Sequence, residues 1–210
     1  YRHVTVLLFR LKMIQYSYKV LFRRNNMVER TKKDIVNAFN RLIAKTDFDQ
    51  ITAKLIAQEA GISKATFYRY FKDKYEVMNY NYKDLLDRYV NLESCNNYRD
   101  LFYNLFYTAR KEWRYLRYAF NSTGVNSFQN YIFEYSKEMA ERITKENRNG
   151  SGFTPEEELQ CDVFCNGISY MYKNWIFGKY PITADEAADS LYAIMPETLK
   201  YYWFTNEGQS

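Results

Sequence analysis

The residue that most restricts what this chain can fold into is Gly61, which separates two short runs that each carry their own helix signals. Ahead of it, Thr52 is placed to cap a helix over Ala53–Ala60 by accepting a backbone N–H. Gly61 itself can take the left-handed conformation that closes a helix C-terminus without steric cost. Ser63 then caps a further helix over Lys64–Tyr70, and Ala57 is small where a second helix has to cross closely. Two short helices joined by a glycine-containing turn form a helix-turn-helix. An earlier helix is expected from about Arg30 to Lys45, because Ile35, Ala38, Phe39, Leu42 and Ile43 fall on one face. Thr31 and Asp34 have the spacing of a capping pair at its start.

The same helical spacing continues downstream, and three prolines and seven glycines in 210 residues leave few places to interrupt it. The chain therefore reads as all-α. A helix is expected from near Asp73, with Glu76 completing its start, to beyond Val90, and a break over Asn91–Asn97. Further helices follow at Tyr98–Arg110, Glu112–Phe120, Ser127–Asn147, Glu156–Gly178 and Ala184–Phe204. Pro196 should kink the last of these or end a turn in it. Asn147 to Gly152 is the flexible linker, Thr154-Pro155-Glu156 is a helix start, and 205–210 is a frayed tail.

Charge points to nucleic acid less directly than it first suggests. The chain carries a net +5, but Arg2, Arg10, Lys12, Lys19, Arg23 and Arg24 lie within residues 1–26, which hold no acid, leaving the rest at −1. The local balance between Met27 and Glu76, ten bases against seven acids, is the more useful signal. Residues 1–26 are too broken by charge to span a bilayer and lack a signal-peptide pattern. They are expected to be a doubtful, disordered leader; a basic arm adding minor-groove contacts is the alternative. His3 is the single histidine and Cys95, Cys161 and Cys165 have no metal-ligand spacing, so no metal site or cofactor is expected. With no glycine-rich phosphate loop and no nucleophile beside a base, an enzyme is not expected either. Free cysteines fit a reducing cytoplasm.

The segment from Ile51 to Glu76, ITAKLIAQEAGISKATFYRYFKDKYE, resembles the DNA-binding domain of the TetR/AcrR family. The match lies in the Thr after an apolar residue, Ile-Ala, Ala-Gly-Ile-Ser, and Lys-x-Thr-Phe-Tyr-x-Tyr-Phe followed by Lys. An α-helix fits the major groove, where its early residues meet base edges. Lys64 and Arg69 are therefore expected to donate to guanine and Ala65 to meet a thymine methyl. The resemblance implies backbone clamping by Thr66, Tyr68 and Tyr70. Thr52, Lys54, Ser63 and Lys74 complete the expected DNA-binding set at helix starts. Phe67, Phe71, Ile56, Ala57 and Ile62 are expected in the core.

That resemblance implies an N-terminal three-helix helix-turn-helix domain over 27–73 and a C-terminal helical bundle for dimerisation and effector binding over 74–204. The Trp175-Ile176-Phe177-Gly178 ending and the acidic helix start at Ala184 resemble the regulatory half of DhaS-like and other small family members. Phe164, Gly167, Ile168, Met171, Trp175, Leu191, Ile194 and Met195 are the expected dimer interface. Tyr103, Phe106, Tyr107, Trp113, Tyr118, Phe128 and Tyr131 are expected to line an effector pocket, with ordinary aromatic core as the alternative. The expected partners are a near-palindromic double-stranded operator, a second copy of the chain, and a small aromatic or amphipathic effector or a partner protein. The expected function is a homodimeric repressor released by its effector; an activator or a co-regulator controlled by a partner protein is the alternative.

Overall fold

The computed structural model describes residues 27–90 and 95–201, so the expectations for the basic leader, for 91–94 and for the tail lie outside the described residues. Every regular element among those residues is helical. They divide into two compact units, 27–46 with 51–77 and 47–50 with 78–201.

The first unit is built on α1 (27–43), α2 (Ala53–Glu59) and α3 (Lys64–Tyr70). Ile35, Ala38, Phe39, Ile56 and Phe67 are fully shielded from solvent, and Phe71 and Ala57 nearly so. Each large side chain of this set contributes on the order of 1.5–3 kcal/mol by leaving water. Thr31 does not start α1 as expected. It lies a turn inside the helix, where its hydroxyl donates to the Met27 carbonyl at 2.9 Å. Arg41 ties the end of α1 to α2: its Nε meets the Glu59 carboxylate at 2.6 Å and its guanidinium also donates to the Glu59 carbonyl at 3.0 Å. That hydrogen bond holds the Glu59 carboxyl below its ordinary value.

α4 (Lys74–Tyr89) begins in the first unit and continues in the second. Asp73 caps it, accepting from the Glu76 N–H at 2.8 Å, while Glu76 reaches back to the Lys72 N–H. The second unit adds α5 (Tyr98–Lys111), α6 (Trp113–Ala119), α7 (Phe128–Asn147), α8 (Pro155–Ile176), α9 (Ala184–Ile194) and α10 (Glu197–Tyr201). Within it α5 packs along α9 and α7 along α8. Arg99 of α5 bridges Asp185 and Asp189 of α9 at 3.0 and 2.8 Å. Lys137 of α7 bridges Asp162 and Glu158 of α8 at 2.7 and 3.3 Å.

The helix expected over Ala184–Phe204 is divided at Pro196. Met195 takes an extended conformation (φ −64°, ψ 135°), as a residue before proline prefers, and α9 ends there. α8 begins with Pro155 in its first turn. Thr154 accepts from the Glu157 N–H at 3.3 Å and its own N–H donates to the Glu157 carboxylate at 2.8 Å, a reciprocal cap.

Candidate nucleic-acid interface and cavity

The turn between α2 and α3 is set by a short chain of backbone bonds. The Gly61 N–H reaches the Gln58 carbonyl at 3.1 Å and the Ile62 N–H reaches the Ala57 carbonyl at 3.0 Å, the pairing that closes a helix through a left-handed residue. Gly61 has φ 68°, and a Cβ there would meet nothing within 4 Å. Glycine is thus required by backbone conformation and not by space. Ser63 starts α3 by accepting from the Thr66 N–H at 3.0 Å, and the two hydroxyls lie 2.9 Å apart. Thr52 does the same for α2, accepting from the Leu55 N–H at 3.2 Å.

With Phe67 turned fully inward, the rest of α3 is sorted by helical phase. Lys64, Ala65, Tyr68 and Arg69 are exposed, and Thr66 and Tyr70 are half-buried. Thr52, Lys54 and Ser63 are exposed as well, and Lys74 is half-buried at the start of α4. Phe67 meets the Tyr68 ring edge-on at 5.5 Å, and the Lys64 ammonium lies 5.7 Å from the centre of that ring. The cations of this unit differ in their pairing. Lys32, Arg41 and Lys45 pair with Glu29 or Glu59. Lys54, Lys64 and Arg69 pair with no carboxylate among the described residues. Thr52 and Ser63 each accept one backbone N–H as a cap, which fixes the turn that displays the exposed cations.

In the second unit a cavity of about 110 Å³ lies among α4, α5, α7, α8 and α9. Its walls are apolar, with tyrosines as the polar element. The Tyr172 hydroxyl donates to the Leu105 carbonyl at 3.3 Å, and Tyr82 lines the same cavity. Burial pushes both phenols upward, so they remain neutral. Of the seven residues expected to line a pocket, Phe106 does so. Phe128 and Tyr131 form an aromatic cluster with Tyr82, at 5.1 and 6.2 Å, and Tyr118 packs against Phe48 at 5.7 Å. Tyr103 and Tyr107 stack on each other at 5.9 Å on the outer side of α5, and Trp113 is 48% exposed beside Arg114 and Arg117. The reason is phase: Leu101, Phe102, Leu105 and Phe106 take the inner side of α5. The aromatic cavity residues missed in the sequence are Tyr82, Tyr98, Phe102 and Tyr172. Tyr172 continues the spacing of Phe164 and Ile168, which was the available signal.

The residues expected at a dimer interface lie in different environments. Phe164, Ile168, Leu191 and Met195 line the cavity, inside the unit. Met171 and Trp175 are half-buried, with Trp175 edge-on to Phe106 at 4.9 Å and its Nε1–H donating to the Ile182 carbonyl at 3.0 Å. Gly167 and Ile194 are exposed. The exposed side of α8 carries Leu159, Val163, Gly167 and Tyr170, one helical stripe.

No helix among the described residues is long and apolar enough to cross a membrane, and no group of three or more potential metal ligands gathers there. Residues 35–80 match the family described as bacterial regulatory proteins, tetR family, and residues 96–197 match one described as a transcriptional regulator C-terminal region. Over 50 residues the chain is 40% identical to an uncharacterized HTH-type transcriptional regulator of Haemophilus influenzae. That match takes in 23% of this chain and 24% of the relative, so the chain spans about a quarter of the curated relative's length. The fold is similar to that of the dihydroxyacetone kinase operon activator DhaS, with a TM-score of 0.54 at 16% identity, covering 82% of this chain and 97% of that one. The chain belongs to the TetR family of transcriptional regulators, DNA-binding proteins and not enzymes, with a helix-turn-helix domain followed by a helical C-terminal region.

Proposed function

We propose that this chain recognises a near-palindromic DNA operator as a homodimer and represses transcription from it until a small effector enters the C-terminal cavity. The observation that carries the reading is the sorting of charge in the helix-turn-helix unit. Arg41 and Lys45 pair with Glu59, whereas Lys64 and Arg69, the two cations of α3, and Lys54 on α2 are exposed without a carboxylate among the described residues. Arg30, Lys33 and Lys72 elsewhere in the unit are so too; what distinguishes the first three is their place on the helix-turn-helix. A recognition helix needs such donors at its outer face to reach guanine edges, and neighbouring hydroxyls, here on Tyr68 and Tyr70, to hold phosphates. Thr66 gives a further hydroxyl, Ala65 a small apolar contact, and Lys74 a further phosphate contact. The set Thr52, Lys54, Ser63, Lys64, Ala65, Thr66, Tyr68, Arg69, Tyr70 and Lys74 is the proposed interface.

A two-fold operator follows from a two-fold protein. The exposed stripe of Leu159, Val163, Gly167 and Tyr170 on α8, with Ile194 on α9, supports pairing with a second copy. The effector is a small, largely apolar molecule, since the cavity is of the order of the roughly 150 Å³ cavities that hold a benzene ring. Differential affinity of that molecule for the DNA-free form would release the operator. A band shift with DNA flanking the gene tests the reading. Retarded complexes that weaken steeply with added salt and survive excess unrelated DNA are expected. Binding equally competed by any duplex would contradict it.

A further inference from the structure

Cys161 and Cys165 stand one turn apart on α8 with their sulfurs 3.7 Å from each other, and both are buried. Cys165 lines the cavity, as does Tyr98, an electrostatic neighbour of both thiols. Asp87, also on the cavity wall, is exposed, so the space reaches solvent. The rest of the lining is mostly apolar and includes Phe102 and Leu101.

A direct disulfide fits this arrangement poorly. Residues four apart on a helix hold their Cβ atoms about 5–6 Å apart, whereas a disulfide needs roughly 3.5–4.5 Å. Inserting one atom between the sulfurs removes that conflict, because the helix then keeps its geometry. The atom must be soft, must take two thiolates at the wide angle of a pyramidal centre, and can carry a third substituent on the side where Cys165 meets the cavity.

We propose that the Cys161–Cys165 pair is a dithiol binding site for a pyramidal, thiophilic trivalent centre, an arsenical with an apolar arm, whose arm occupies the cavity. With phenylarsine oxide the balance is simple. Two S–H bonds and the arsenic–oxygen bonds are exchanged for two As–S bonds and one water. The two thiol protons leave on that water, and arsenic stays trivalent, so no oxidant is needed. The site does not depend on DNA binding, and its test is independent of the operator.

The test is incubation of the full chain with phenylarsine oxide, read by intact mass and by thermal melting. One phenylarsenic per chain is expected, retained in excess monothiol and released by ethanedithiol, with a raised melting temperature because the ligand binds the folded form. Cys161→Ala and Cys165→Ala should each lose the monothiol-resistant adduct, and Cys95→Ala should keep it. Inorganic arsenite, lacking the arm, should be held more weakly. No adduct on the wild-type chain, an adduct that survives Cys161→Ala, one that needs Cys95, or a lowered melting temperature would each overturn the proposal. Equal retention of arsenite would overturn the placement of the arm. The release by ethanedithiol is measured on the wild-type chain, so the proposal remains exposed to refutation even if an alanine variant fails to fold.

Discussion

Tyr68 and Arg69 are neighbours on α3 with different expected tasks. Tyr68 is 51% exposed, with its ring held against Phe67. Tyr68→Phe keeps that packing and removes one hydrogen bond to a charged phosphate, a loss of about 1.5–3 kcal/mol, or roughly ten- to a hundredfold in affinity. The loss should be the same on every sequence, which anisotropy titrations on specific and scrambled duplexes would show. Arg69→Ala should instead narrow the gap between the preferred base and its alternatives at one operator position. Gly61→Ala tests the turn itself. It forces φ 68° on a side-chain-bearing residue without creating a clash, so it should cost about 1–2 kcal/mol in chemical denaturation and leave the fold intact.

At the scale of the helices, the start of α8 carries the clearest pH signature. Arg148 hydrogen-bonds the Glu157 carboxylate, the Thr154 N–H adds a second bond, and together they hold its pKa at about 2 against an ordinary 4.5. A depressed carboxyl pKa stabilises the folded chain fully above the unfolded value, and the contribution disappears as pH falls from about 4.5 towards 2. Melting temperatures across that window should fall less steeply in Glu157→Gln than in the wild type. The caps of this kind were legible in the sequence because they are local. Thr52, Ser63, Gly61 and the Thr154-Pro155 start need only their own neighbours to act, and each works in the structure as read. Thr31 misled because its hydroxyl is equally able to bond one turn back inside a helix. The inward side of α8 was not legible. Leu159, Val163, Phe164, Ile168, Tyr170 and Met171 make it apolar nearly all round, and only packing against α7 and α5 decides that Phe164 turns in while Val163 stays out. The aromatic residues of α5 were ambiguous for the same reason, since rings on either side satisfy helical spacing.

For the whole molecule, the exposed stripe of α8 has to find water or a second copy. Val163 is 67% exposed and Leu159 65%, on the same side as Gly167, where a partner helix can approach closely. Val163→Glu should therefore shift sedimentation from dimer to monomer while leaving the circular dichroism of the helices unchanged. Operator affinity should fall with it, because half-site binding loses the gain from a linked second site. The family-level function was legible from one dense motif, whereas the operator sequence depends on how Lys64, Ala65 and Arg69 meet particular base edges. The most direct measurement is selection of bound duplexes from a randomised pool by the purified chain, followed by sequencing. Enrichment of a single two-fold repeat is expected, with Arg69→Ala relaxing the same position in both half-sites. Recovery of unenriched duplexes, or an enriched motif left unchanged by Lys64→Ala and Arg69→Ala, would contradict it.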